Sequence, residues 1–210
     1  MITSSTSFLA LIGNPVSHSL SPIMQNAAIQ YLGLDMIYIS IPCKSEDLKI
    51  VINSLKKMNC KGLNITIPYK EKIFDLCDEI SPVAKKVQSI NTLKLNEKKE
   101  WSATNTDIYG FIYPLVNQNL SYSNAIVLGS GGASKSVIQG LVDLKVSKIT
   151  VISRNKYSLN ALTNNFANQK TIKSVHSDKT EVKNLIREAD LIINTTPVGM
   201  KNTESEDQLP

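Results

Sequence analysis

The sequence predicts an α/β protein of two domains. Residues 1–118 are expected to form a mostly parallel sheet covered by helices, and residues 119–210 a Rossmann-like nucleotide-binding domain. Three observations carry that expectation. Short apolar runs alternate with segments of 3.6-residue apolar spacing in both halves, the rhythm of strand–helix–strand units. A polar stretch, Asn117 to Ser123, breaks the rhythm and has no periodicity of its own. Just after it, the glycine loop Gly129-Ser130-Gly131-Gly132-Ala133-Ser134 follows an apolar strand and opens a helix.

Taken in order, Phe8 to Ile12 followed by Gly13 reads as a strand. Ser21-Pro22 reads as an N-cap with proline at the first helical position, opening a helix to about Leu32 that Gly33 closes. Met36 to Pro42 is a second strand. Ser45 with Leu48, Val51, Ile52 and Leu55 gives a helix, and Gly62 to Pro68 a third strand. A short helix is expected from about Lys70 to Cys77 and another from Pro82 to Val87. Strand material follows at Asn91 to Leu95, with a hairpin turn over Asn96 to Glu100 and a return through Trp101 to Thr104. A helix from Ile108 to about Gln118 carries Pro114 inside it, which should kink or shorten it.

The second half reads as strand Ala125 to Leu128, the glycine loop, helix Ser134 to Leu144 and strand Lys148 to Ile152. A helix near Ser158 to Asn168, a strand at Ile172 to Val175, a helix from Glu181 to Glu188 and a strand from Leu191 to Thr195 complete the alternation.

Composition narrows the functional classes. With 42% apolar residues in 210, a full core is available. The net charge of +5 comes from scattered lysines, with no basic block interleaved with aromatics, so nucleic-acid binding is not expected. The three cysteines, Cys43, Cys60 and Cys77, are far apart and odd in number, which argues against a disulfide framework and for reduced thiols in a cytoplasmic setting. No apolar run reaches the roughly 18 residues of a membrane span, and no metal-ligand cluster is apparent.

Two segments carry chemistry. Asn64-Ile65-Thr66-Ile67 alternates polar with apolar residues, as a strand does when one face meets a core and the other a cleft; Pro68 ends it and Lys70 sits at its mouth. Downstream, Asn105-Thr106-Asp107 is a second polar run. Most lysines and aspartates are surface charges, but a Lys–Asp couple among neutral hydrogen-bonding groups is what gripping a polyhydroxylated small molecule, and moving one of its protons, requires. Tyr69 reads equally as core or as cleft lining. His18 is assigned to shaping its loop and His176 to the exposed surface.

In the glycine loop, glycines permit a tight turn and close backbone approach, while the following helix offers unpaired amides to a pyrophosphate. Ser134 stands where the general fingerprint has glycine or alanine, so a purely structural turn remains open. After the second strand comes Ser153-Arg154-Asn155 rather than an acidic residue. Arg154 presents a guanidinium fork suited to a ribose phosphate, which favours NADP over NAD.

Over nearly its whole length the chain resembles the shikimate dehydrogenase family. The resemblance rests on Gly13-Asn14-Pro15-Val16-Ser17-His18-Ser19-Leu20-Ser21-Pro22, the Asn64 to Glu71 segment, Ser89-Ile90-Asn91-Thr92, Asn105-Thr106-Asp107, the glycine loop and Asn194-Thr195-Thr196-Pro197-Val198-Gly199-Met200, in the family's order. It implies a substrate-binding catalytic domain followed by an NADP-binding domain, and reversible NADP-dependent reduction of 3-dehydroshikimate to shikimate in the chorismate route to aromatic amino acids. It further implies that Ser19 and Ser21 hold the substrate carboxylate, that Asn64, Thr66, Asn91 and Asp107 bind ring hydroxyls, and that Lys70 and Asp107 are the catalytic pair. Cofactor contacts would come from Gly129, Ser130, Gly131, Gly132, Ala133, Ser134, Ser153, Arg154, Asn155, Thr195, Thr196, Pro197 and Met200. The partner is a small-molecule substrate, and the protein a monomer or homodimer.

The match departs from the family locally at Gln88-Ser89-Ile90 and Ser153-Arg154-Asn155. It also stops early: family members continue past the Thr195 to Met200 segment with a substrate-binding glutamine and parts of the nicotinamide pocket, so the chain is expected to be C-terminally truncated. Two other functions are carried forward, a quinate/shikimate dehydrogenase using NAD and a non-catalytic binding protein that keeps the anion sites without turnover.

Overall fold

The computed structural model describes residues 2–118 and 121–199. The chain divides into two compact units, Met1–Thr106 and Asp107–Pro210.

In the first unit the elements run β1 (Ser7–Gly13), α1 (Ser21–Tyr31), β2 (Met36–Pro42), a 3-10 turn (Ser45–Asp47) leading into α2 (Leu48–Lys57), and β3 (Cys60–Ile65). A second 3-10 turn (Phe74–Leu76), β4 (Glu79–Ile80), α3 (Pro82–Val87), β5 (Thr92–Leu95) and β6 (Trp101–Thr104) follow. The six-stranded sheet has the order β2-β1-β3-β5-β6-β4. β1 runs parallel to β2 and β3, and β4 parallel to β6, whereas β5 runs antiparallel to β3 and β6. The sheet is therefore mixed, and the Asn96 to Glu100 hairpin joins one of its two antiparallel pairs, β5 and β6.

Its main core gathers Ile12, Ile52, Leu63, Ile65, Tyr69, Ile73, Leu93 and Trp101. α2 joins through Leu48, Ile52 and Leu55, which share one helical face. Trp101 is wholly buried, and its indole N–H donates to the Ile52 carbonyl at 3.2 Å. A separate cluster of Leu11, Val16, Ile29 and Tyr38 seats α1.

Two local expectations change. The helix expected over Lys70 to Cys77 is a run of turns ending in the Phe74–Leu76 3-10 turn. Tyr69 is buried, with its hydroxyl donating to the Cys43 carbonyl, and Ile73 is buried as well, so core anchoring dictates the path there. The strand expected to reach Pro68 ends at Ile65, which leaves Thr66 just beyond the ladder.

The second unit contains α4 (Asp107–Val116), β7 (Asn124–Leu128), α5 (Gly132–Asp143), β8 (Lys148–Ser153), α6 (Lys156–Asn165), β9 (Ile172–His176), α7 (Val182–Arg187) and β10 (Leu191–Asn194). The four strands form an all-parallel sheet ordered β10-β7-β8-β9. Both faces are covered. Ala125, Val127, Ile149 and Val151 meet α5 and α6, while Ile126, Leu128, Ile152 and Val175 meet Val182 of α7. Burial on both faces is why β7 and β8 read as near-continuous apolar runs.

α4 groups with this unit, so the seam falls at 106/107 rather than near the polar stretch after 118. The contact is close: a Cβ on Gly140 of α5 would come within 2.9 Å of the Phe111 ring. Pro114 lies inside α4, which ends soon after it at Val116.

Candidate active site

At the C-terminal end of β1, Gly13 packs against the Thr66 segment so tightly that a Cβ would meet Thr66 Cγ2 at 2.4 Å. Thr66 N–H donates to the Ile12 carbonyl and Asn14 N–H to the Ile67 carbonyl, at 2.9 and 3.0 Å. The loop through Asn14-Pro15 and the Thr66 to Pro68 segment are thereby fixed together. Both Asn14–Pro15 and Ile67–Pro68 peptides are cis.

The serines beyond this loop divide the work differently from the sequence expectation. The N-cap position of α1 is Leu20, which makes no side-chain cap, and Ser21 is the first helical residue. It is Ser19 whose hydroxyl accepts the Ser21 backbone N–H, at 3.2 Å. Ser21 therefore does not cap its own helix; its hydroxyl acts on the phenol of Tyr38, opposing the upward push of burial.

Tyr38, on β2, links α1 to the middle of the sheet. Its hydroxyl donates to Asn64 Oδ1 at 2.8 Å, and burial pushes the phenol up to about 12, so it remains a donor. Its backbone is held by the side chain of Asn26 in α1, which donates to the Tyr38 carbonyl and accepts its N–H, both at 2.8 Å. An amide that pairs with a sheet-edge residue in this way covers the edge and fixes α1 against β2.

From Asn64 the network continues. Its Nδ2 donates to the Asn91 carbonyl at 3.4 Å and to Thr92 Oγ1 at 3.3 Å, across the β3–β5 pair that sets Asn64 opposite Thr92. Thr92 donates to Asn91 Oδ1 at 2.8 Å. Asn91, almost fully buried, donates through Nδ2 to Thr106 Oγ1 at 3.0 Å and accepts the Thr106 backbone N–H at 3.0 Å. Asn105 Nδ2 donates to the Ser89 carbonyl at 2.9 Å, fixing the last turn before Asp107. Lys70 is half-buried, and its carbonyl accepts from Ile90 N–H at 2.8 Å, so the Lys70 and Asn91 segments run together. Asp107 is half-buried and opens α4, one residue after Thr106.

Tyr38 and Asn64 thus share one hydrogen-bonded chain with Asn91, and Thr66 and Lys70 lie on backbone tied to it. Tyr38, Asn26 and Thr92 are members that the sequence reading missed. The one available signal was Tyr38, since a tyrosine in an apolar strand needs a partner for its hydroxyl when buried.

In the second unit the glycine loop departs from β7 with Gly129 at φ 110°, where a Cβ would also meet Thr195 Oγ1 at 2.6 Å. The N-cap of α5 is Gly131, which has no side chain to satisfy the first amides and no atom within 4 Å of where a Cβ would stand. Such a helix start presents N–H groups to an anion. Gly132 and Ala133 begin the helix, half-buried. Ser134 is fully buried and its hydroxyl pairs with Thr195 Oγ1 at 2.7 Å, which in turn donates to the Leu128 carbonyl, so Ser134 can offer a ligand only its backbone.

Ser130 bonds the hydroxyls of Ser153 and Ser158 at 2.8 and 2.6 Å, tying the loop after β7 to the loop after β8. Asn155 caps α6, accepting Ser158 N–H at 3.1 Å, and Arg154 is exposed beside it. Thr196 bonds Asn194 Oδ1 through both its N–H and its hydroxyl, and Asn194 Nδ2 donates to the Val198 carbonyl, shaping the turn around Pro197. Met200 lies outside the described residues. Among the described residues no group of three His, Cys, Asp or Glu could hold a metal ion, and no helix is long and apolar enough to cross a membrane.

His176 is not an ordinary surface histidine. Its side chain is 18% exposed and held on both sides, with Nδ1 against Asp178 Oδ1 at 2.5 Å and Nε2 against the Arg154 carbonyl at 2.8 Å.

Comparison with known proteins finds matches in both parts of the chain. Residues 11–93 match the family model for the shikimate dehydrogenase substrate binding domain, and residues 115–203 that for shikimate / quinate 5-dehydrogenase. The shikimate dehydrogenase (NADP(+)) of Prochlorococcus marinus subsp. pastoris is 71% identical over the whole chain, which spans 74% of that protein's length. Among solved structures, shikimate dehydrogenase from Aquifex aeolicus superposes with a TM-score of 0.86 at 34% identity, over 98% of this chain and 74% of that one. A shikimate dehydrogenase in complex with NADP+ gives 0.84 at 32%, over 98% and 72%. By sequence along its whole length and by fold, the chain belongs to the shikimate dehydrogenase family.

Proposed function

We propose that this chain catalyses the reversible NADP-dependent reduction of 3-dehydroshikimate to shikimate, the activity for which its relatives are named. The observation that carries the reading is the network from Tyr38 through Asn64, Thr92 and Asn91 to Thr106. It is a row of amides and hydroxyls with fixed orientations, suited to adjacent hydroxyls on a ring, and Ser19 and Ser21 at one end suit the carboxylate. Asn64, Thr66, Asn91 and Asp107 are assigned to the ring hydroxyls.

The nucleotide side fits NADP. Gly131 leaves the first amides of α5 without a side-chain cap above open space, and Arg154 follows β8 where an NAD-selective site would carry an acidic residue. Gly129, Ser130, Gly132, Ala133, Ser153, Asn155, Thr195, Thr196, Pro197 and the backbone of Ser134 are assigned to shaping or contacting that site. The bound nicotinamide supplies the hydride chemistry. The chain's own task is the proton: Lys70 takes it from the substrate hydroxyl in oxidation and returns it to the developing alkoxide in reduction, with Asp107 orienting the hydroxyl and balancing the ammonium.

Free thiols support a cytoplasmic setting. Cys43, Cys60 and Cys77 are all unpaired, and burial raises all three, Cys60 to about 11 and Cys77 to about 12, so they are poor nucleophiles. A monomer or homodimer acting on a small molecule is the corresponding state.

The test is a matrix of turnover measurements on the purified chain, shikimate against quinate and NADP against NAD. The reading expects kcat/KM to be highest for shikimate with NADP. A higher value for quinate with NAD would favour the quinate reading, and ligand binding without turnover the binding-protein reading.

A further inference from the structure

Polar contacts hold the backbone on both sides of Arg154. Asn155 N–H reaches Ser153 Oγ at 3.3 Å and Ser177 N–H donates to the Ser153 carbonyl at 3.1 Å. Asn155 Oδ1 caps α6. The Arg154 carbonyl is met by His176 Nε2 at 2.8 Å. β8 and β9 run parallel with Ser153 opposite His176, so the histidine stands at the end of the neighbouring strand, level with the loop it touches.

The donors are assigned by what they face. A carbonyl oxygen only accepts, so Nε2 carries a proton. Nδ1 faces the Asp178 carboxyl at 2.5 Å and lies 3.4 Å from the Asp178 backbone N–H, and that carboxyl is held below the usual carboxylate range, first by its hydrogen bond with His176 and further by neighbouring positive charge. Asp178 thus holds the ring in the orientation that points Nε2 at Arg154, as second groups orient metal-binding or catalytic imidazoles.

We propose that His176, held by Asp178, is a positioning residue for the ribose phosphate of NADP, acting by fixing the Arg154 peptide and so the direction from which the guanidinium approaches. This rests on the NADP reading above. A bidentate guanidinium–phosphate contact depends steeply on geometry, whereas NAD carries no phosphate at that ribose. Loosening the Arg154 peptide therefore acts on NADP and spares NAD.

Calorimetric titration tests this on the intact chain with two ligand pairs, NADP against NAD and adenosine 2′,5′-bisphosphate against adenosine 5′-monophosphate. His176→Ala removes one hydrogen bond to the loop and is expected to weaken the phosphate-bearing member of each pair about five- to tenfold, leaving the other within about twofold. His176→Gln, whose amide can still donate to the Arg154 carbonyl, should restore most of the affinity. Asp178→Asn should give a smaller loss of the same selectivity, and these two variants decide the matter if His176→Ala fails to fold. Equal weakening of both members, or no weakening, overturns the proposal. Arg154→Ala separates the two levels: if it too leaves NADP binding intact, the NADP reading through Arg154 falls, whereas loss in Arg154→Ala with none in the His176 variants removes only the positioning role.

Discussion

The two units prepare for ligands by opposite means. In the first, the proposed site is built of side chains: Tyr38, Asn64, Asn91, Thr92 and Thr106 spend hydrogen bonds on one another, which holds each remaining donor and acceptor in one direction. In the second, backbone does most of the work. Gly129 lets the loop pack against Thr195, Gly131 leaves open space before α5, and the nearby hydroxyls of Ser130, Ser134, Ser153 and Thr195 are consumed in tying loops together. A polyol is distinguished from its stereoisomers by the direction of each hydroxyl, so oriented side chains suit it. A pyrophosphate is recognised by charge and close approach, for which bare amides at a helix start suffice.

The largest effect that would sharpen this contrast is chemical. Lys70→Ala should lower kcat by about a thousandfold, the scale of lost general acid–base catalysis, while shikimate binding changes only a few-fold. A similar loss in both would make Lys70 a binding residue instead. Next, Gly129→Ala puts a side chain at φ 110° and within 2.6 Å of Thr195 Oγ1. It should destabilise the second unit by about 1–3 kcal/mol and weaken NADP on the order of tenfold, measured by thermal melting and titration. Unchanged stability would mean that the loop relaxes freely.

The smallest effect concerns the ion pair beneath the first unit's sheet. Asp78 is held below the usual carboxylate range, first by its hydrogen bond from Lys56 at 2.5 Å and then by Trp101 N–H at 2.6 Å. A carboxyl lowered in the folded state stabilises above its unfolded value and loses that contribution as pH falls through the folded one. With Asp78 partly exposed, solvent screens the pair. Asp78→Asn should therefore lower the melting temperature slightly at neutral pH, with the difference disappearing in acid; a constant difference at all pH values would assign the effect to packing.

How far the sequence could be read follows the same division. The parallel sheet and glycine loop of the second unit were legible because their signals are local: apolar runs of strand length, glycines, and a helix start in the next few residues. The side-chain network was legible only at Asn64, Asn91 and the Asn105–Asp107 run, since Tyr38 meets its partner 26 residues away. The start of α1 was misread for the opposite reason. Ser21 before Pro22 has a cap's composition, but Ser19, two residues earlier, takes the backbone amide instead. The two-residue β4 and the turns over Lys70 to Cys77 carry no periodic signal, being set by the burial of Tyr69, Ile73 and Trp101. The seam at 106/107 depends on Phe111 and Ile112 meeting Gly140, a contact that no local pattern announces.

The most direct test of the contrast is to titrate Asn91→Ala with shikimate and, separately, with NADP. Removing the hub between Thr92 and Thr106 should weaken shikimate about tenfold or more and leave NADP within about twofold of the parent chain. If shikimate binds as before, or if both ligands weaken together, the first unit's network is not the substrate-reading surface.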